Sequence, residues 1–325
     1  MKIRNIVLTS AAVLFCTASM SATNAHTWVS GSGSDSNPCT FASPCATFQQ
    51  ALDNTTAGGI ISAKDAGDFG PVSISKSVTI DGSNLGSITY SGSSDSVISI
   101  MSSSANVTVQ NLTINGLGSA NNGIDVTSGG TVIVDNCRIM NINEGIYFAG
   151  AGNLTVENSR IDSLSGSYAV GIHIDSSAAE NVVVRNTVID VSTVSADNAN
   201  IGFTVRPATG PVNASLQNVT IMGAGAYAVE VQVGVTQITG SVLTQSAYGV
   251  YAYGATISVA SSMITANTTG VYSDTGAKIR LDNNDIYDNT TAIGNGGGTV
   301  KTSGTNKVSG TIAVPAADVS ESVTF

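Results

Sequence analysis

A chain of 325 residues allows one large domain or two ordinary ones, so its make-up says more about class than its length does. Only 10% of the residues are charged and 5% aromatic, and the excess of Gly, Ser, Thr, Asn and Val describes strands and tight turns rather than helices. The formal net charge of −10, with no cluster of Lys or Arg able to follow a phosphate backbone, speaks against nucleic acid as a partner.

The chain opens with Met1-Lys2-Ile3-Arg4, an apolar stretch from Ile6 to Phe15 and small residues up to Ala25. That order predicts a secretory signal over 1–25, cut after Ala25, with Ala22 as the alternative site. Bulky Phe15 before Cys16 does not fit a lipoprotein signal. No later segment is apolar enough to span a membrane, so the mature chain is expected outside the cytoplasm, extracellular or periplasmic, free or held at the cell surface. A mature amino-terminal His26 could chelate copper, but its only potential partner, His173, belongs to a distant coil. No metal or cofactor is expected.

Residues 26–71 read as a cap. Cys39 and Cys45 flank a short loop containing Pro44 and are expected to pair in an oxidising compartment. Between Ala46 and Asn54, Phe48, Ala51 and Leu52 fall on one helical face, which predicts a short amphipathic helix stopped by Gly58-Gly59. Cys137, the remaining cysteine, lies within a repeat and reads as a buried small apolar side chain.

From 72 to 310 a phrase recurs about every 22 residues: alternating apolar residues, a polar residue, Asn, two variable residues, then Ile or Leu. It runs from Val107 to Ile114, Val132 to Ile139, Leu154 to Ile161, Val182 to Ile189 and onward to Ile279–Ile286. A second phrase lies between, a small residue followed by alternation, as in Gly145-Ile146-Tyr147-Phe148 and Gly171-Ile172-His173-Ile174. Three short strands per coil predict an all-β, single-stranded, right-handed parallel β-helix of about nine to ten coils with a short amino-terminal capping helix. Asn suits the corner because it tolerates the left-handed conformation, and Gly240 takes its place in one coil. Residues 311–325 are expected to close the far end.

The segment Asn37-Pro38-Cys39, Pro44-Cys45, Thr47-Phe48, Ala51, Gly58-Gly59, Phe69-Gly70 and Val72 to Gly82 resembles the opening of secreted bacterial right-handed β-helix proteins with the pectin lyase-like fold. Active members of that superfamily work on polysaccharides, but their motifs do not carry over. Polygalacturonases have Gly-His-Gly where His173 here lies between Ile172 and Ile174, and Arg-Ile-Lys where this chain has Lys278-Ile279-Arg280. The Asp-Pro-His-Asp motif of alginate epimerases is missing, and the calcium carboxylates and arginine base of pectate lyases have no matching positions.

Alternation in the second phrase sends its apolar residues inward and the residue between them outward. Stacking then builds an outward column of Asp125, Tyr147, His173, Thr204, Glu230, Tyr251 and Tyr272. Two residues further along runs a second column of Thr127, Ala149, Asp175, Arg206, Gln232, Tyr253 and Asp274. In the resembling enzymes this strand forms the substrate groove. His173, Arg206 and Glu230 are the candidate catalytic group, as acid, anion clamp and base. Asp125, Tyr147, Asp175, Gln232, Tyr251, Tyr253 and Tyr272 are candidate ligand contacts, the tyrosines as platforms for sugar rings. Exposed positions on any β-helix tend to be polar or aromatic, so such columns also arise without a ligand. On another face Asp135, Glu157 and Arg185, beside Arg138 and Arg160, read as salt-bridge ladders that fix register. The expected function is binding of an extended polysaccharide or surface polymer without chemistry. The alternatives are a lyase or hydrolase on acidic glycans and a structural or adhesive rod.

Overall fold

The computed structural model describes residues 24–92, 96–166, 168–175, 179–192, 199–206 and 212–313. The expected signal segment up to residue 23 and the tail from 314 onward lie outside them. Within these residues the chain winds as a parallel β-helix with three sheets. The first sheet has twelve strands, from Asn24–Val29 to Thr299–Thr302; the second and third have eleven each, ending at Lys307–Val308 and Thr311–Ala313. Twelve rungs make a rod of roughly 50 Å at the usual strand spacing. No helix among the described residues is long and apolar enough to cross a membrane.

There are about two more turns than the repeat alone predicts, because the sheets extend past the recognisable phrase. Asn24–Val29, which begins two residues inside the expected signal segment and runs into the stretch read as a cap, pairs in parallel with Thr55–Ala63 of that stretch, and the two start the first sheet. Neither carries the corner Asn that marks later coils.

The interior follows from alternation. Val109, Val134, Val156, Val184, Leu216, Ile238, Val259 and Leu281 occupy one register on successive rungs and are all buried. Each such side chain contributes about 1.5–3 kcal/mol, but ordering a residue costs about 1–2 kcal/mol, so a single coil cannot hold itself together. Stacking joins the apolar interiors into one column and satisfies the backbone groups of each rung on the next.

At the corner after the first sheet, Asn111, Asn136, Asn158, Asn186, Asn218 and Asn283 all adopt φ between 50° and 55°, and Gly240 has φ 61°. Asn136 donates to Asn111 at 2.8 Å and Asn186 to Asn158 at 3.3 Å, a side-chain ladder along the axis. Just inside it runs a ladder that the repeat does not announce. The hydroxyls of Ser159, Ser241 and Ser262 accept from the backbone N–H of Cys137, Val219 and Ser241, each at 3.1 Å. Cys137 is buried in this line, and burial pushes its thiol up to about 12, which suits a packing residue and not a reactive one.

The helix spans Phe48–Asn54, with Thr47 accepting from the N–H of Gln50 as its N-cap. Phe48, Ala51 and Leu52 are buried, and Phe48 meets Phe69 edge to face, so the helix seals the open end of the core. Gly58-Gly59 does not stop it: the helix ends at Thr55, whose extended backbone starts the strand and whose hydroxyl is held by Thr27 and the Ala51 carbonyl. Cys39 and Cys45 are disulfide-bonded. Their loop exchanges backbone hydrogen bonds with Trp28 at 2.8 and 2.9 Å, covering the first strand's free edge.

Candidate functional site

The third sheet owes its spacing to a column of glycines. A Cβ on Gly123, Gly145, Gly171, Gly249 or Gly270 would come within 2.5–2.7 Å of a backbone carbonyl of the next rung, so these positions need the missing side chain. Past that bend the strands stay in register: Asp125 pairs with Tyr147, then His173, Thr204, Glu230, Tyr251 and Tyr272 in turn. Asp175, Arg206, Gln232 and Tyr253 follow one position beyond their strands and continue the ladder through their backbone N–H groups. The two columns expected from alternation therefore lie side by side on one outer face.

The proposed catalytic group is not assembled there. His173 and Glu230 are two rungs apart, with Thr204 between them, a separation of roughly 9–10 Å. Glu230 is only 2% exposed. One of its oxygens accepts from Thr204 at 3.0 Å and from Arg206 at 2.6 Å, and the other accepts from Gln232 at 3.0 Å. A carboxylate so fully engaged is a structural hub and a poor base. Arg206 is committed too, since it also holds the Tyr168 hydroxyl and lies over that ring at 5.5 Å.

His173 turns the other way. Its Nδ1 lies 3.2 Å from Glu144, and its ring meets Tyr147 edge to face at 5.2 Å. The Tyr147 hydroxyl donates to Asp175 at 2.9 Å. Desolvation pushes that phenol up to about 12, helped by the hydrogen bond to Asp175 and by the charges of Asp175, Glu144 and Asp125. Asp125 completes the cluster. Burial raises its carboxyl above the usual range, against hydrogen bonds from Ser96 and Asn122.

Further along the rod four tyrosine rings pack together. Tyr227 and Tyr251 are 4.6 Å apart, Tyr248 and Tyr272 are 5.6 Å apart, and Tyr251 lies parallel to Tyr272 at 5.8 Å with 4° between planes. Desolvation holds the Tyr251 phenol far above its ordinary value, helped by the hydrogen bond that its hydroxyl donates to Asp274 at 2.6 Å and by the charge of Asp274. Tyr253 beside them is 49% exposed.

Strict alternation misses Asn122, Glu144, Tyr227 and Tyr248. These residues form a third register column just before the glycine position, where the bend resets the in-and-out count. The signal was available: a polar or aromatic residue ahead of Gly145 and Gly249, at a position that alternation assigns to the core. Tyr168, in a loop, carries no such signal.

Elsewhere the charged ladders differ in detail from expectation. Glu157 and Arg185 do pair across rungs. Arg138 and Arg160, stacked in register with like charge, both converge on Asp162, and Arg160 reaches Asp190 at 3.2 Å. One surface depression, about 550 Å³, is lined by small and uncharged residues including Ser192, Gln245 and Thr268, so it offers no acid or base. Among the described residues no group of three or more His, Cys, Asp or Glu side chains is placed to hold a metal ion.

By sequence the chain finds no match among curated proteins. Among solved structures it is similar to an alginate lyase from Paenibacillus sp. str. FPU-7, with TM-score 0.60, 15% identity and coverage of 84% of this chain and 99% of that one. The pectate lyase Pel9A gives TM-score 0.59, 14% identity and coverage of 90% and 82%. The A-module of the mannuronan C-5 epimerase AlgE6 from Azotobacter vinelandii gives 0.59, 15% and coverage of 82% and 94%. These likenesses establish the pectin lyase-like fold. The family model described as the right handed beta helix region matches residues 54–208 and 202–314, and the chain belongs to that family.

Proposed function

We propose that the outer face of the third sheet binds an extended polysaccharide, with sugar rings resting on the tyrosines, and that the protein works outside the cytoplasm without breaking the polymer. The observation that carries this reading is the tract of Tyr227, Tyr248, Tyr251 and Tyr272 on three successive rungs, partly buried and packed ring to ring, with exposed Tyr253 beside it. Such rings are rigid, flat and polar at the tip, so they lose little entropy when a sugar stacks on them. The disulfide and the signal-like opening support an oxidising location. Solved neighbours whose names refer to pectate, alginate and mannuronan support a polysaccharide as the ligand class.

Binding of the mature protein to a glycan array tests this reading. Tyr251→Ala and Tyr272→Ala are each expected to weaken the best ligand by about 2–10-fold, the equivalent of about 0.5–1.5 kcal/mol per ring contact. Unchanged affinity in both variants would remove the tyrosine tract from the account.

A second reading, a lyase or hydrolase, draws on Tyr147, His173 and Glu144. An imidazole oriented by a carboxylate, beside a phenol, is a workable acid-base pair. It requires reducing ends or unsaturated products to form from pectin, alginate or neutral polymers, and His173→Ala to abolish them. No product across that panel would leave binding alone.

A further inference from the structure

Most cations of this chain have partners, and two that do not sit on one strand. Arg138, Arg160, Arg185, Arg206 and Lys307 each face a carboxylate. Lys64 lies over the Phe41 ring, and Lys76 donates to the Thr55 carbonyl at 2.6 Å. Lys278 and Arg280, on the strand Lys278–Asp282 near the carboxy-terminal end of the first sheet, are both exposed and meet no acid among the described residues.

The register makes these two the corners of a four-sided depression. On the next rung Thr299 stands beside Lys278, and Lys301 beside Arg280. Rungs are about 4.8 Å apart and alternate residues of a strand about 6.6 Å, so four outward side chains surround a floor formed by the Ile279 peptide. The cavity between them is about 260 Å³, and no described Asp or Glu lines it. The charge is confined to this end of the sheet: the same two positions hold Thr256 and Ser258 one rung earlier, and Val235 and Gln237 on the rung before that. Asp282, further along the strand, accepts from the hydroxyls of Ser303 and Thr305.

Like charges stacked on neighbouring rungs repel. Between Arg138 and Arg160 the carboxylate of Asp162 relieves that repulsion. Lys278 and Arg280 have no such acid, and they hold a local positive potential open to solvent in a chain of net charge −10. We infer that this depression binds a tetrahedral oxyanion, the phosphate or sulfate group of a free ion or an ester. The Lys278 ammonium and the Arg280 guanidinium donate to two of its oxygens and the Thr299 hydroxyl to a third, while Lys301 adds charge from the far corner. A carboxylate, with two oxygens in one plane, meets fewer of these donors. The site lies apart from the tyrosine tract and does not rest on the polysaccharide reading.

The test is titration of nitrogen-15-labelled mature protein at low salt with glucose 6-phosphate, glucose 6-sulfate, inorganic phosphate, glucuronate and glucose, following the Arg280 Nε–H and Ile279 amide signals. The tetrahedral anions are expected to shift both signals saturably and to bind about fivefold or more tightly than glucuronate, with glucose inert. Glucose 6-phosphate binding more tightly than inorganic phosphate marks an ester as the ligand, and the reverse order marks the free ion. Affinity should fall several-fold when salt rises from roughly 20 to 200 mM. Lys278→Ala and Arg280→Ala change exposed side chains, so the fold should survive, and each is expected to lower affinity by about fivefold or more. Lys307→Ala, which removes a cation already paired with Asp285, and Tyr251→Ala should leave it unchanged. Glucuronate binding as tight as the tetrahedral anions, affinity indifferent to both Lys278→Ala and Arg280→Ala, or no shift with any anion would overturn the inference and leave the tyrosine tract untouched.

Discussion

Residues on the third sheet's face are fixed by their partners more than by their chemical type. Glu230 and Arg206 look like a base and a clamp in a list of outward residues, but Thr204 and Gln232 tie the carboxylate down and Tyr168 takes the rest of the guanidinium. Asp125 is the opposite case, a carboxylate whose burial is poorly compensated. Desolvation lifts its pKa, Glu144 adds to the rise, and bonds from Ser96 and Asn122 oppose it. An acid with a raised pKa binds its proton more tightly in the folded chain, so ionising it costs stability. That cost is complete above the folded pKa and vanishes below the ordinary value of 3.8, where the unfolded chain is protonated too. Asp125→Asn is therefore expected to raise the Tm by a few degrees at neutral pH and to leave it nearly unchanged in acid, as thermal melts across pH would report. A lower Tm at neutral pH would mean that its hydrogen bonds outweigh the desolvation.

Elements of the third sheet depend on close approach between rungs. Gly249 is the sharpest example, because a Cβ there would lie 2.6 Å from the Gly270 carbonyl and 2.7 Å from the Ile264 side chain. Gly249→Ala is expected to cost about 1–3 kcal/mol and to disturb Tyr248 and Tyr251 on either side, visible as a lower Tm and altered near-ultraviolet dichroism. The same glycines explain what the sequence did and did not disclose. Period-two alternation after each glycine was enough to place Asp125, Tyr147, His173, Glu230, Tyr251 and Tyr272 in one column, because side-chain direction in a strand follows count alone. Alternation fails across the bend, so Glu144 and Tyr227 were hidden although their neighbours were not. Pair identity is hidden as well: Asp125, Asp175 and Glu230 lie on the same two columns as His173, and only side-chain geometry gives the imidazole to Glu144, outside both. At the ends, the first two rungs lack the corner Asn, so the repeat undercounted the turns.

As a whole the molecule is a stiff column whose stability accrues by stacking and whose three faces differ in chemistry. The first two sheets spend most of their charges on ladders such as Arg185 with Glu157 and Arg138 with Asp162, whereas the third gathers tyrosines and acids. The central claim is that a glycan lies along this third face. It is tested most directly by carbon-13 labelling of the nine tyrosines and following their ring signals during titration with the best ligand from the array. Signals of Tyr227, Tyr248, Tyr251, Tyr253 and Tyr272 should move together, while Tyr287, on the second sheet, stays in place. A ligand that shifts Tyr287 and leaves the third-sheet rings untouched would contradict the account.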